Sequence, residues 1–251
     1  MSAELLFRDD LVKRLRDVVR AAVLTGAGAS QESGVRTFRD AQVGLWAQFR
    51  PEDLATPEAF ARNPKRVWDW YAERRRLLQD VEPNPAHWAL AEMERRIPHF
   101  TLITQNIDGL HQRAGSVHVV ELHGNLHRVR CSVCGRYAER WDETEETPPR
   151  CVACGGMLRP DVVWFGEFLP RLEWERARSA AETCQVFFSI GTSGVVEPAA
   201  SLPFIAKRQG ALIVEINLEA TPLTPSADYS LRGKAGEILP ALVRAVWGGE
   251  G

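Results

Sequence analysis

Two carboxamides and a carboxylate, Gln105, Asn106 and Asp108, follow directly on the apolar segment 100–104. Polar groups at the carboxyl end of a buried strand stand where open α/β sheets bind ligands and do chemistry. The run has a second reading, in which Asn106 or Asp108 caps a short helix carried on Ile107, Leu110 and His111. His123, followed by Gly124, closes another apolar segment, 117–122. Imidazole is the side chain suited to accept a proton near neutral pH, and the glycine would let a substrate backbone come close. With six histidines in the chain, His123 taken alone reads first as a hydrogen-bonded core residue.

A second group of residues suits a phosphate. In Gly26-Ala27-Gly28-Ala29-Ser30, small residues between a strand and a helix expose amide N–H groups to an anion. The match to a dinucleotide fingerprint is incomplete, because its third small position falls on Gln31, and a purely structural tight turn remains an alternative. Gly191, Thr192 and Ser193 follow a later apolar strand, and Asn217, Leu218 and Glu219 follow the last one. Each has a turn-forming reading of its own, but their recurrence at successive strand ends favours one extended nucleotide site.

Cys131, Cys134, Cys151 and Cys154 form two C-x2-C pairs separated by sixteen residues, each with glycine just after its second cysteine. This is zinc-ribbon spacing, and four thiolates fill a tetrahedral Zn2+ shell with no position left for water, so the metal is expected to be structural. Disulfides are the competing assignment. Cys184 stands apart and reads as a buried apolar side chain.

The elements that must hold these groups follow from periodicity. Leu11, Leu15 and Val18 recur at helical spacing before the apolar stretch 21–24; further runs of strand length are 100–103, 117–122, 186–190 and 212–216. Near-continuous apolar strands alternating with helices predict a doubly wound parallel sheet covered on both faces. Two segments look inserted. Residues 51–98, with helix-start signals at Thr56-Pro57 and Asn84-Pro85, read as a helical insertion; residues 126–160 read as a zinc-ribbon module. The remainder, 1–50, 99–125 and 161–251, forms the main domain.

With 251 residues, 45% hydrophobic and 25% charged, the composition is that of a globular protein, and a net charge of -2 gives no general reason to expect binding to nucleic acid or to an anionic membrane. The amino terminus lacks the apolar core of a signal peptide and no apolar run is long enough to span a bilayer, so a cytoplasmic location is expected.

Taken together, GAGASQESGVRTFR, TQNIDGLHQRAG, ELHG, the paired CxxC, VVWFGE, IGTS and INLE resemble the sirtuins in order and spacing, from Ala21 to Ala235. The resemblance implies an NAD-dependent protein lysine deacylase with a Rossmann-like large domain and a small zinc-ribbon domain, the acyl-lysine peptide entering between them. Its products would be free lysine, nicotinamide and O-acyl-ADP-ribose. By the same resemblance His123 matches the general base, with Asn106 and Asp108 as catalytic partners that line, with Gln105 and Ile107, the pocket for nicotinamide and its ribose. Gly26, Ala27, Gly28, Ser30, Phe38 and Arg39 match the cofactor loop. Gly191, Thr192, Ser193, Asn217, Leu218, Glu219 and Ala235 fall where the family holds phosphate and adenosine, and Val163, Trp164, Phe165, Gly166 and Glu167 fall where it holds the substrate peptide and the lysine stem.

Thr37 in the TFR loop, and Tyr71-Ala72-Glu73-Arg74 in the helical insertion, resemble the subgroup that removes acidic acyl groups. There Arg74 would pair bidentately with the distal carboxylate of a succinyl or malonyl chain while Tyr71 donates a further hydrogen bond. From spacing alone the two residues read as the buried and solvated sides of an amphipathic helix. Two other functions compete with deacylation: NAD-dependent ADP-ribosyl transfer to protein, and a non-catalytic module that senses a nucleotide through the sheet. The acidic DETEETPP stretch speaks against a nucleic-acid-binding ribbon.

Overall fold

The computed structural model describes residues 7–35, 50, 53–142 and 147–248. Its strands are β1 (Arg20–Thr25), β2 (His99–Thr104), β3 (Val119–Glu121), β4 (Gly124–Cys131), β5 (Leu158–Val162), β6 (Val186–Ile190), β7 (Leu212–Asn217) and β8 (Tyr229–Arg232). Six of them form one parallel sheet in the order β3-β2-β1-β6-β7-β8. The chain winds outward from β1 to β3 on one side and from β6 to β8 on the other, so the order reverses between β1 and β6. That reversal opens a crevice at the carboxyl ends of those two strands.

The helices are α1 (Asp9–Arg16), α2 (Pro57–Arg62), α3 (Pro64–Leu78), α4 (Pro85–Arg96), α5 (Leu110–Arg113), α6 (Arg171–Thr183), α7 (Leu202–Arg208) and α8 (Ala235–Trp247). Successive strand residues face opposite ways and both faces are covered, which is why the strands are apolar throughout. Ala21 and Val23 of β1 join Leu11 and Leu15 of α1, Leu90 and Met93 of α4, and Leu239 and Leu242 of α8. Ala22 and Leu24 join Ala177 and Ala181 of α6 and Leu202 and Ala206 of α7 on the other face. No helix among the described residues is long and apolar enough to cross a membrane.

A smaller lobe is built on β4 and β5, which pair antiparallel and carry the chain out to the cysteines and back. α2 and α3 cover it. Phe60, Val67, Trp70 and Tyr71 pack with Leu126, Val162 and Trp164, and Trp68 packs against Val129, Cys131 and Leu158. Each helix of the stretch read as an insertion starts with a side-chain cap and a proline: Thr56 Oγ1 accepts from the Ala59 N–H, Asn63 Oδ1 from Arg66 N–H, and Asn84 Oδ1 from Ala86 N–H. α4 differs from its two predecessors in allegiance, because its apolar face packs with α8 against the large sheet.

Candidate active site

Register brings the polar residues together. Thr25 of β1 lies level with Thr104 of β2 and Ile190 of β6, Thr104 with Glu121 of β3, and Ile190 with Ile216 of β7. Gly26, Gln105, His123, Gly191 and Asn217 therefore all leave the sheet at one edge, across the crevice where strand order reverses.

The glycines at this edge are required first by the protein itself. Gly28 N–H donates to Gly191 O at 2.8 Å, and the two loops lie so close that a Cβ on Gly28 would sit 2.8 Å from Gly191 Cα and O. A Cβ on Gly191, whose φ is 58°, would come within 2.5 Å of Ala29 N. Close packing of backbone on backbone thus shapes the cradle before any phosphate approaches it. Gly124 has a similar cause, and here the sequence reading is corrected: the space beside its Cα is filled by the Asp161 carbonyl of β5, not kept for substrate. Phe38 and Arg39 lie outside the described residues, as do Arg36 and Thr37.

Below the cradle runs a buried polar network. Thr25 Oγ1 donates to Thr104 Oγ1 at 2.9 Å, and Thr104 Oγ1 also accepts the Asn106 N–H. With the Thr25 proton so directed, His111 donates to Thr25 Oγ1 from Nε2 at 2.9 Å, and its Nδ1 is buried with no partner among the described residues. Burial pushes the His111 pKa well down, helped by neighbouring His87, so this ring is neutral. Asn106 Nδ2 donates to Gly26 O at 3.1 Å and to Ser30 Oγ at 3.0 Å. Both its amide hydrogens are engaged, which leaves the Asn106 carboxamide oxygen as an acceptor. Ser30, 1% exposed, also meets His87 Nε2, while His87 Nδ1 accepts the Asn84 N–H and Asn84 Nδ2 donates to Ala29 O at 2.8 Å.

Asp108, 4% exposed, makes the helix-start hydrogen bond that one reading gave it. One carboxylate oxygen accepts the Leu110 N–H at the start of α5, and the other takes no hydrogen bond among the described residues. Ile107 packs into the small-lobe cluster, and its carbonyl accepts the Leu126 N–H of β4. His127 of β4 holds the Asp108 carbonyl through Nε2 at 3.1 Å.

His123 stands two residues beyond β3 with its Nδ1–H donated to Gln105 O at 3.0 Å. That bond fixes the tautomer and leaves the Nε2 lone pair available to take a proton. Burial holds the His123 pKa below the ordinary histidine value, offset in part by the bond to Gln105. Gln105 in turn donates from Nε2 to Thr192 Oγ1 at 2.9 Å, and Asn217 Nδ2 donates to Thr192 O at 2.8 Å. A continuous hydrogen-bonded line thus joins His123 to the ends of β6 and β7. Ser193, Leu218 and Glu219 are exposed beyond it, and Ala235 is buried at the start of α8, where Glu32 Oε2 accepts the Gly236 N–H.

On the small lobe Tyr71 and Arg74 do not divide between a buried and a solvated side of α3: three residues apart, they share one face, and Arg74 is half-buried. Tyr71 is 2% exposed and its hydroxyl accepts from Trp164 Nε1 at 3.1 Å. The Arg74 guanidinium lies 4.9 Å from the Trp70 ring centroid. Burial lowers its pKa, while Tyr71 and Asp108 raise it, so Arg74 is within electrostatic reach of the carboxylate at the end of β2. Residues 163–167 form a turn: Val163 N–H donates to His123 O at 2.9 Å, Phe165 N–H to Ala55 O at 2.9 Å, and Glu167 N–H to Trp164 O at 3.0 Å. Trp164 is buried, Phe165 is exposed, and Gly166 adopts φ 87°.

The four cysteine sulfurs lie within 4.8 Å of one another, with Cys131 to Cys154 at 3.5 Å and Cys134 to Cys151 at 3.8 Å. Zn–S bonds of about 2.3 Å in a tetrahedron place sulfurs about 3.8 Å apart, so the cluster is consistent with structural zinc. Each pair sits on a knuckle closed by Gly135 N–H to Cys131 O and Gly155 N–H to Cys151 O. Both glycines lie in the left-handed region, Gly135 at φ 70° and Gly155 at φ 73°. Cys184 is buried against the large sheet, where burial pushes its thiol up to about 12.

Comparison with known proteins decides the family. The model of the Sir2 family matches residues 26–198. The chain belongs to the Sir2 family. A relative from Thermus thermophilus, an NAD-dependent protein deacylase, is 55% identical over 235 residues, 92% of each chain. Among solved structures, a Sir2 homologue in complex with NAD superposes with TM-score 0.91 at 50% identity, covering 97% of this chain and 95% of that one. A Sir2 protein with a p53 peptide and NAD+ superposes with TM-score 0.84 at 31% identity, covering 97% and 99%.

The residues of this Sir2 chain fit such a cofactor: a glycine cradle at the crevice, acceptors on Asn106 and Asp108, and hydroxyl and amide groups on Thr192, Ser193 and Asn217. Thr25, Asn84, His87, Thr104 and His111 were not singled out as site residues from sequence. Asn84-Pro85 was legible only as a helix start, because nothing local reveals that the cap also reaches the GAG turn.

Proposed function

We propose that this Sir2 family member is an NAD-dependent protein lysine deacylase acting in the cytoplasm, and that it favours lysines carrying acidic acyl groups. The observation that carries the activity is His123, whose Nδ1–H is engaged by Gln105 O, which leaves the Nε2 lone pair available to accept a proton at the sheet edge that also carries the glycine cradle. NAD, when bound, supplies an electrophilic ribose carbon and takes up the acyl group. The chain's own residues do the rest. Asn106 and Asp108 orient the carboxamide and ribose at the end of a rigid strand, and the low-dielectric floor built by Thr25, Thr104 and His111 keeps that arrangement from reorganising. His123 accepts a proton at Nε2 from the hydroxyl presented to it. Gly26, Ala27, Gly28 and Ser30 would form the cofactor loop, and Gly191, Thr192, Ser193, Asn217, Leu218, Glu219 and Ala235 would hold phosphate and adenosine.

The domains proposed for this reading are the sheet domain (1–50, 99–125, 161–251), the helical insertion (51–98) and the zinc ribbon (126–160), with the acylated lysine entering between the lobes past residues 163–167. Preference for acidic acyl groups is supported by Tyr71 and Arg74 lying one turn apart on α3, with Arg74 near Asp108. The test is NAD-dependent kinetics on matched acetyl-, malonyl- and succinyl-lysine peptides with nicotinamide release followed. Faster kcat/KM on the acidic acyl groups is the expected result; no NAD consumption on any peptide would refute deacylation, and a preference for acetyl would refute the acyl assignment.

A further inference from the structure

We infer that Trp164 is a specificity-positioning residue: its indole N–H occupies the acceptor side of the Tyr71 hydroxyl, so that the phenol presents its proton to the distal carboxylate of the acyl chain. The inference rests on the acidic-acyl reading above. An indole nitrogen only donates, whereas a phenol both donates and accepts. At 3.1 Å from Trp164 Nε1, the Tyr71 oxygen must be the acceptor, and its own proton must point elsewhere. Both side chains are 2% exposed, so bulk water does not compete for either group. Burial also raises the Tyr71 pKa far above the ordinary phenol value, which keeps the proton in place.

The direction of that proton matters because the ligand group is an anion. A phenol lone pair facing a carboxylate repels it, while a phenol O–H adds a charge-assisted hydrogen bond to the one Arg74 makes. Free rotation of the hydroxyl would lose part of this preorganisation.

Trp164 is itself held rigidly. The Arg159 guanidinium carbon lies 3.4 Å from the Trp164 ring centroid, and the Phe60 ring is 5.3 Å away. Arg159 makes a forked pair with Glu167 at 2.5 and 2.9 Å and donates to Val162 O at 2.9 Å. Glu167 Oε2 also accepts the Trp164 backbone N–H at 2.8 Å. A clamp based on β5 therefore fixes the indole, and the indole fixes a hydroxyl on α3.

The experiment compares kcat/KM for succinyl- and acetyl-lysine peptides of one sequence at saturating NAD in the wild type, Trp164→Phe, Tyr71→Phe and the double variant. Phenylalanine keeps a ring for Arg159 and Phe60 but has no N–H. The succinyl-to-acetyl ratio should fall on the order of tenfold in Trp164→Phe, chiefly through the succinyl KM. Because both changes act through one hydroxyl, the double variant should fall no further than Tyr71→Phe alone. A ratio within twofold of wild type in Trp164→Phe, or effects that multiply, would overturn the inference while leaving the acidic-acyl reading intact. A wild type with no preference for succinyl would overturn both. Arg159→Lys retains the indole but removes its planar clamp and should lower the ratio in the same direction; if Trp164→Phe does not fold, an unchanged ratio in Arg159→Lys overturns the inference.

Discussion

Replacing Arg74 with Met removes the guanidinium from α3 while keeping an unbranched apolar stem that can still lie against Trp70. Arg74 lies on the same face as Tyr71 and carries a charge whose pKa burial lowers and whose positive form Tyr71 and Asp108 support. A carboxylate placed between Tyr71 and Arg74 would make charge-assisted hydrogen bonds in a largely desolvated setting, each worth about 1.5–3 kcal/mol. At about 1.4 kcal/mol per factor of ten, losing one such bond lowers kcat/KM for a succinyl-lysine peptide roughly 10- to 150-fold. An acetyl group has no distal carboxylate and does not share that loss. Because Arg74 is near Asp108, some loss common to both substrates is expected, and the ratio of the two kcat/KM values is the quantity to measure.

Stability separates the effect from unfolding. The contact between Arg74 and the Trp70 ring is lost, and in a largely desolvated setting such a contact contributes about 2 kcal/mol. For a chain of this size that corresponds to a fall in Tm of about 4–8 °C. Matched steady-state assays, with Tm by scanning calorimetry, make the comparison. Equal losses on the succinyl and acetyl peptides would show that Arg74 serves the helix rather than the acyl group.

Three further outcomes are expected. His123→Ala should abolish NAD-dependent turnover while zinc content and Tm stay near wild type, and in the wild type the acid limb of kcat/KM should lie below 6.5, since burial lowers the His123 pKa; an active variant or an acid limb above 6.5 would refute the general-base role. His87 and His111 are held neutral by burial, so the unfolded chain takes up protons first as pH falls through 6.5. Their contribution is present above that value and is lost below it, before carboxylates begin to titrate; Tm should therefore fall between about pH 6.5 and 5, and less steeply in His111→Gln, whereas an identical slope would discard this assignment. Cys134→Ser should lower bound zinc from one ion per chain, measured by atomic emission, and loosen the cluster of Trp68, Val129 and Leu158 that packs against Cys131; a variant with full zinc and unchanged Tm would show that the cysteines have another purpose.

Much of the sheet was legible because a strand buried on both faces is apolar at every position, as in Val186–Ile190. β8, Tyr229–Arg232, gives no such signal: it is an edge strand whose Ser230 and Arg232 turn to the buried Glu215 carboxylate. β4 and β5 were equally hidden, since Leu158–Val162 contains Arg159, Pro160 and Asp161, polar or strand-breaking residues whose burial depends on partners distant in sequence. α4 could be placed as a helix from Asn84-Pro85, but its packing against α8 could not, because apolar spacing gives a face and not the surface that covers it.

At the site, residue types suggested chemistry but not its support. His123 read alone as a core histidine and became a candidate base only through the family resemblance, and the bond that fixes its tautomer goes to a backbone carbonyl, which any residue at position 105 would offer. Asn84 shows the converse. Its Oδ1 caps α4, its Nδ2 holds Ala29 O in the glycine turn, and its backbone N–H sets the tautomer of His87, which reaches Ser30. One side chain thus ties the start of a helix packed in the large core to the loop that would receive phosphate. Loss of its carboxamide would shift the cap and the cradle together, so fold and function at this position share one set of hydrogen bonds.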